Sequence, residues 1–182
     1  MLKKKIKSAV KVFKKMFPGA KYVLDVGCRE GFSAQYLAKG HEVCSIDIEK
    51  KWVDHNKKKG RCCFWGNFLN YDFGHKKYDA IFSRHCIEHT GSIELFLKKC
   101  YGLLVDQGVL FLIMPLEQTV TLDLGKDDEK DMVSEEYAAF HFKKIAGDTV
   151  SGVGFTMEYF GYTKDVGITP YHNDYLFIGR KF

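Results

Sequence analysis

No run of about eighteen apolar residues occurs in this 182-residue chain, so no membrane-spanning helix is expected. The N-terminus is charged but lacks the apolar stretch and small-residue cleavage site of a secretory signal. A soluble protein that stays in the cytoplasm is the expectation. Six cysteines (Cys28, Cys44, Cys62, Cys63, Cys86 and Cys100) include no C-x-x-C pair. Several fall in apolar runs, which reads as reduced, buried thiols. Internal repeats and low-complexity segments are also lacking. With 46% apolar and 15% aromatic residues, the chain can bury one sizeable core but is short for two, so residues 1–182 read as a single domain.

Acidic residues are missing from one stretch in particular. Residues 1–21 hold eight lysines and no acid, and removing those charges from the net +5 leaves the remainder at −3. Within that arm Leu2, Ile6, Val10, Phe13 and Phe17 recur every three or four residues among the lysines, the spacing of an amphipathic helix over residues 1–19 ended by Pro18-Gly19. Its plainer reading is an apolar stripe packed on the domain with solvated lysines. The sharper reading, not favoured, is adhesion to an anionic membrane or to nucleic acid.

From residue 20 onward short apolar strands alternate with amphipathic helices, the pattern of a largely parallel sheet covered on both faces. Strands are predicted at 22–26, 42–46, 61–65, 78–83 and 109–114, with helices at 32–39, 50–59 and 93–104. Residues 116–131 read as an acidic loop and 133–146 as a helix. Residues 156–162 and 174–180 read as an antiparallel pair at one edge of the sheet.

In such a sheet, ligands bind beyond the carboxyl ends of the strands. The first turn, Asp25-Val26-Gly27-Cys28-Arg29-Glu30-Gly31, lacks the G-x-G-x-x-G spacing that lets a backbone approach a pyrophosphate. Its acid favours a cation over a phosphate. A positively charged, phosphate-free nucleoside suits it, and S-adenosylmethionine is one. Asp47 ends the second strand twenty residues after Gly27, where its carboxylate can accept hydrogen bonds from ribose hydroxyls. Ile48 can lie against an adenine face. Asn67, in Gly66-Asn67-Phe68, can bond the adenine edge through its amide.

Taken in order, these residues resemble the class I S-adenosylmethionine-dependent methyltransferases, particularly the broad group with an L-E-H-type signature after the fourth strand. Val23 to Gly31 resembles the glycine-rich first motif, Ser45-Ile46-Asp47-Ile48 the ribose-binding acid, Gly66-Asn67-Phe68 the adenine-contacting turn, and Tyr78 to Ser83 the fourth strand. Ile87-Glu88-His89 matches the signature, Gly108-Val109-Leu110-Phe111 resembles the fifth strand, and Gly152-Val153-Gly154-Phe155 the step before the sixth. The resemblance implies a Rossmann-like, seven-stranded, mostly parallel sheet with its last strand antiparallel and helices on both faces. It implies cofactor contacts from Asp25, Gly27, Gly31, Asp47, Asn67 and Ser83, with Ile48 and Phe68 beside the adenine. Arg29 stands where a glycine is commoner: either the turn changes conformation or Arg29 reaches the cofactor carboxylate.

Methyl transfer needs a base only for acceptors that must lose a proton. His85 and His89 are the candidates, the plainer reading making His89 a packing and hydrogen-bonding residue. His85-x-x-Glu88-His89 is similar to the E-x-x-E-H that some family O-methyltransferases use for a divalent ion; with an imidazole first it would favour a transition metal, and no metal is the expectation. Cys62-Cys63 reads as core packing, since neighbours on a strand face opposite ways. The leading reading is methyl transfer to a small or carrier-linked metabolite, in a cleft open to a large acceptor or closed by a partner subunit such as a second copy. A non-catalytic cofactor-binding subunit is the second reading. An RNA methyltransferase is third, since Ser83-Arg84-His85-Cys86 stands where base N-methylation uses an N-P-P-Y type tetrad.

Overall fold

The computed structural model describes residues 2–115, 152–168 and 174–182. The acidic loop at 116–131 and the helix at 133–146 lie outside them. The lysine-rich arm forms α1, Leu2–Met16. Its apolar stripe packs on the domain: Ile6, Ala9, Val10 and Phe13 are buried, while Lys4, Lys7, Lys11 and Lys15 stay exposed. The Phe13 ring meets Phe82 and Phe111 edge-on at 5.7 and 5.5 Å. A stripe occupied in this way is not free to enter a bilayer. Among the described residues no helix is long and apolar enough to cross one.

The chain then alternates β1 (Tyr22–Val26), α2 (Phe32–Leu37), β2 (Glu42–Asp47), α3 (Lys50–Lys58), β3 (Cys62–Trp65), β4 (Tyr78–Arg84), α4 (Ile93–Leu103), β5 (Leu104–Pro115), β6 (Thr156–Tyr162) and β7 (Asp174–Arg180). The seven strands form one sheet in the order β3-β2-β1-β4-β5-β7-β6. Strands β1 to β5 pair in parallel, and β7 runs antiparallel to both β5 and β6. Alternate side chains supply two cores. Val23, Ala80, Phe82, Phe111 and Ile178 meet α1 and Leu37 of α2 on one face. Leu24, Ile81, Leu110 and Phe177 meet Ile93, Phe96, Leu97 and Cys100 of α4 on the other. Helix α4 starts where Ser92 Oγ accepts from the Leu95 N–H at 3.2 Å, satisfying a donor that a helix start leaves open.

Two differences from the sequence reading have physical causes. The fifth strand begins at Leu104 rather than at residue 109, because Gln107 takes a φ of 65° and the turn is drawn into the ladder. There the Gln107 N–H donates to the Lys181 carbonyl at 2.8 Å and the Lys181 N–H donates to Gly108 at 2.9 Å. The cysteine reading is corrected more sharply. Cys44 and Cys62 occupy paired positions on β2 and β3, with Cα atoms 4.7 Å apart, and form a disulfide. Cys62 is exposed rather than part of the core. Neighbouring strands create this proximity, and an eighteen-residue separation does not show it. Cys28, Cys63, Cys86 and Cys100 are free thiols, and Cys28 and Cys63 lie with sulfurs 3.7 Å apart.

Candidate cofactor and acceptor site

The turns that follow β3, β2, β1 and β4, four neighbouring strands, meet around one cavity of about 340 Å³. That volume lies within the usual range for small-molecule sites. Of the residues expected to bind cofactor or to catalyse, Gly27, Arg29, Asp47, Ile48, Asn67, Phe68, His85 and His89 line it. Asp25, Gly31 and Ser83 do not. These three stand behind the wall and shape it.

Asp25 is buried and accepts a hydrogen bond from Ser33 Oγ at 2.6 Å, fastening the start of α2 beneath the turn. Burial pushes its carboxyl up to about 7, opposed by the Ser33 hydrogen bond. Ser83 Oγ donates to the Val26 carbonyl at 3.2 Å, tying β4 to β1. Gly31 has a φ of 77°, and a Cβ there would stand 1.8 Å from Asn56 Oδ1, so only glycine fits. Asn56 explains the tightness: it donates to the Arg29 carbonyl at 2.8 Å and to Trp52 at 2.9 Å, and accepts from Arg61 at 2.9 Å.

Arg29 takes a backbone shape that favours glycine. It holds a φ of 44°, the left-handed region that costs a non-glycine residue about 1 kcal/mol. Its N–H donates to Asp47 Oδ2 at 2.8 Å. Asp47 Oδ1 accepts from the Glu49 N–H at 2.9 Å. The carboxylate is thus aimed by two backbone donors, and each oxygen keeps a lone pair for a further donor. Asn67 Oδ1 accepts from the Leu69 N–H at 2.9 Å, which leaves its amide N–H groups to face a ligand. Gly27, with a φ of 79°, brings the first turn against Cys86, where a Cβ would sit 2.9 Å from the cysteine Cβ and Sγ.

The far wall is built differently. His85 holds a φ of 49°, its N–H donates to the Ile113 carbonyl at 2.9 Å, and its Nε2 lies 2.9 Å from Asp174 Oδ2. Arg29 and His85 are two of the three non-glycine residues with positive φ among those described, and both line the cavity. Strain of this kind gathers at functional sites. His89 is exposed rather than packed, with Nε2 3.9 Å from Glu88 Oε1. Glu88 is buried, and its Oε2 finds no partner; burial raises its carboxyl above the usual range. Among the described residues no group of three or more His, Cys, Asp or Glu is arranged to hold a metal ion. Sequence reasoning missed Asp174, Glu49, Cys86 and Thr90. Strand-end position marks the last three as neighbours of expected residues, but nothing local marks Asp174.

Residues 24–112 match the family model described as a methyltransferase domain. This segment is similar to the methyltransferase domain family. The ubiquinone biosynthesis O-methyltransferase of Pelagibacter ubique (strain HTCC1062) is 29% identical over 104 residues, covering 50% of this chain and 40% of that protein. The (S)-tetrahydroprotoberberine N-methyltransferase of Eschscholzia californica is 25% identical over 132 residues, covering 67% and 36%. The chain thus spans less than half the length of these curated relatives. The fold likeness extends further. A TehB-like SAM-dependent methyltransferase from Corynebacterium glutamicum superposes with a TM-score of 0.68 at 18% identity, covering 96% of this chain and 88% of that one. Magnesium protoporphyrin IX methyltransferase from Synechocystis PCC 6803, solved with bound SAM, gives 0.66 at 18% identity, covering 99% and 79%. A methyltransferase domain implies S-adenosylmethionine as its methyl donor. The cavity suits that group, since it offers the aimed Asp47 carboxylate, a second acid in Glu49, the free Asn67 amide and the apolar Ile48 and Phe68.

Proposed function

We propose that the protein transfers the methyl group of S-adenosylmethionine to a small or carrier-linked metabolite whose accepting oxygen or nitrogen gives up a proton. The observation that carries the cofactor half is Asp47, with both carboxylate oxygens held by backbone N–H groups at 2.8 and 2.9 Å on the cavity wall beside Asn67. Asp47 would receive the ribose hydroxyls, Asn67 the adenine edge, Ile48 and Phe68 the adenine faces, and Arg29 the carboxylate. When bound, the group supplies a methyl on a cationic sulfur. His85, lining the same cavity, would take the proton that the acceptor loses. The walls hold the partners aligned and away from water, which can supply much of the acceleration. His85 rather than His89 is assigned the base, since its ring is held by a partner whereas the His89 side chain is 72% exposed.

Isothermal titration with S-adenosylmethionine and S-adenosylhomocysteine tests the cofactor half. Wild-type protein should bind both, and Asp47→Ala should weaken both at least about tenfold, or ~1.4 kcal/mol. A folded wild type that binds neither would sink the reading.

A further inference from the structure

We propose that Asp174, on β7, is a positioning residue that fixes the tautomer of His85 and thereby presents the Nδ1 lone pair as the base. This rests on the assignment of His85 above. A carboxylate only accepts hydrogen bonds, so an Asp174 Oδ2 at 2.9 Å from Nε2 places the ring proton on Nε2. Nδ1 is left with its lone pair, and among the described residues the ring makes no other hydrogen bond. The Asp174 side chain is 15% exposed and that of His85 33%, an environment in which the pair is only partly screened by water.

The surrounding groups sharpen the assignment. Among the described residues, Arg84, Glu88 and His89 are charged or titratable neighbours of the pair, with Cys86 and Tyr175 next to it in the chain. Burial favours the neutral form of Glu88, and the acid in contact with the ring is Asp174, with Oδ2 at 2.9 Å. Burial also lowers Arg84, while Asp174 and Glu88 oppose that shift. A proton arriving at Nδ1 turns His85 into an imidazolium paired with the Asp174 carboxylate, and the same carboxylate orients the ring beforehand. The backbone points the same way. His85 is held at a φ of 49° with its N–H bonded to Ile113, so both its main chain and its ring are fixed independently. A tie that merely fastened β7 to the sheet would not need a strained residue on the cavity wall.

The test needs neither cofactor nor acceptor. Long-range proton–nitrogen NMR of the imidazoles in the full chain, with the His85 signals assigned by His85→Gln, reads the tautomer directly. Wild-type protein should show the proton on Nε2, and Asp174→Ala should show a mixture. Carbethoxylation of His85 by diethyl pyrocarbonate, followed by mass spectrometry across pH, reads the availability and basicity of Nδ1. It should be severalfold slower in Asp174→Asn, a variant of the same shape that keeps the fold if alanine does not. A wild-type proton on Nδ1, or a tautomer and carbethoxylation rate unchanged in both variants, would overturn the proposal. Failure of the titration in the preceding section would instead overturn the cofactor reading and leave the tautomer result standing.

Discussion

Asp25 behaves unlike a surface acid because its partner is a hydroxyl and its surroundings are dry. With a folded value near 7 against an ordinary 3.8, it holds its proton more tightly in the folded state than in the unfolded chain. Stability from such a group is complete below the unfolded value and is lost as pH rises through the folded one. Ligand-free wild type should therefore lose stability relative to Asp25→Asn between about pH 4 and pH 7. At pH 8 the variant should be the more stable, by on the order of a few kcal/mol. Urea titrations of both proteins across that range check it. At this scale the sequence was informative where a residue's task depends on its own strand end. Asp47, Asn67 and His85 could be placed on the cavity wall because they stand at or just after the carboxyl ends of parallel strands. Asp174 could not, since it stands on another strand, 89 residues from His85, and meets it only because β7 comes within reach of the turn after β4.

Between elements, the turn after β1 depends on α3 as much as on its own glycines. Asn56 is almost completely buried and makes four hydrogen bonds that join α3, Arg61, the Arg29 carbonyl and the Cys28 sulfur. Asn56→Ala would leave those groups unpaired, at about 1–3 kcal/mol for each one buried. It should lower the urea midpoint and also weaken S-adenosylhomocysteine binding, because Arg29 would no longer be held against Asp47. The strand and helix pattern was readable from periodicity, including the antiparallel pair of β6 and β7. Contacts across strands were not, and Cys44 with Cys62 is the case in point. Alkylation in denaturant without reductant should label Cys28, Cys63, Cys86 and Cys100 but spare Cys44 and Cys62, and reductant should make all six reactive. Loss of this eighteen-residue crosslink should lower the melting temperature, consistent with the ~3 kcal/mol expected of a loop of similar length.

For the molecule as a whole, α1 is part of the core rather than an appendage. Phe13 is fully buried against Phe82, Phe111 and His41. Phe13→Ala should destabilise the domain by about 3–5 kcal/mol, seen as a lowered urea midpoint. Replacing exposed Lys4, Lys7, Lys11 and Lys15 singly by glutamine should change it by less than about 0.5 kcal/mol each. The placement of β7 between β5 and β6 has a consequence for the order of assembly. A chain emerging from the ribosome presents β1 to β5, with every turn that lines the cofactor wall, well before β7. Strand β6 pairs with β7 and with no other described strand, so it waits for β7 to join the sheet. His85 meets the Asp174 carboxylate in the same event, so the nascent protein can close the cavity before that contact exists.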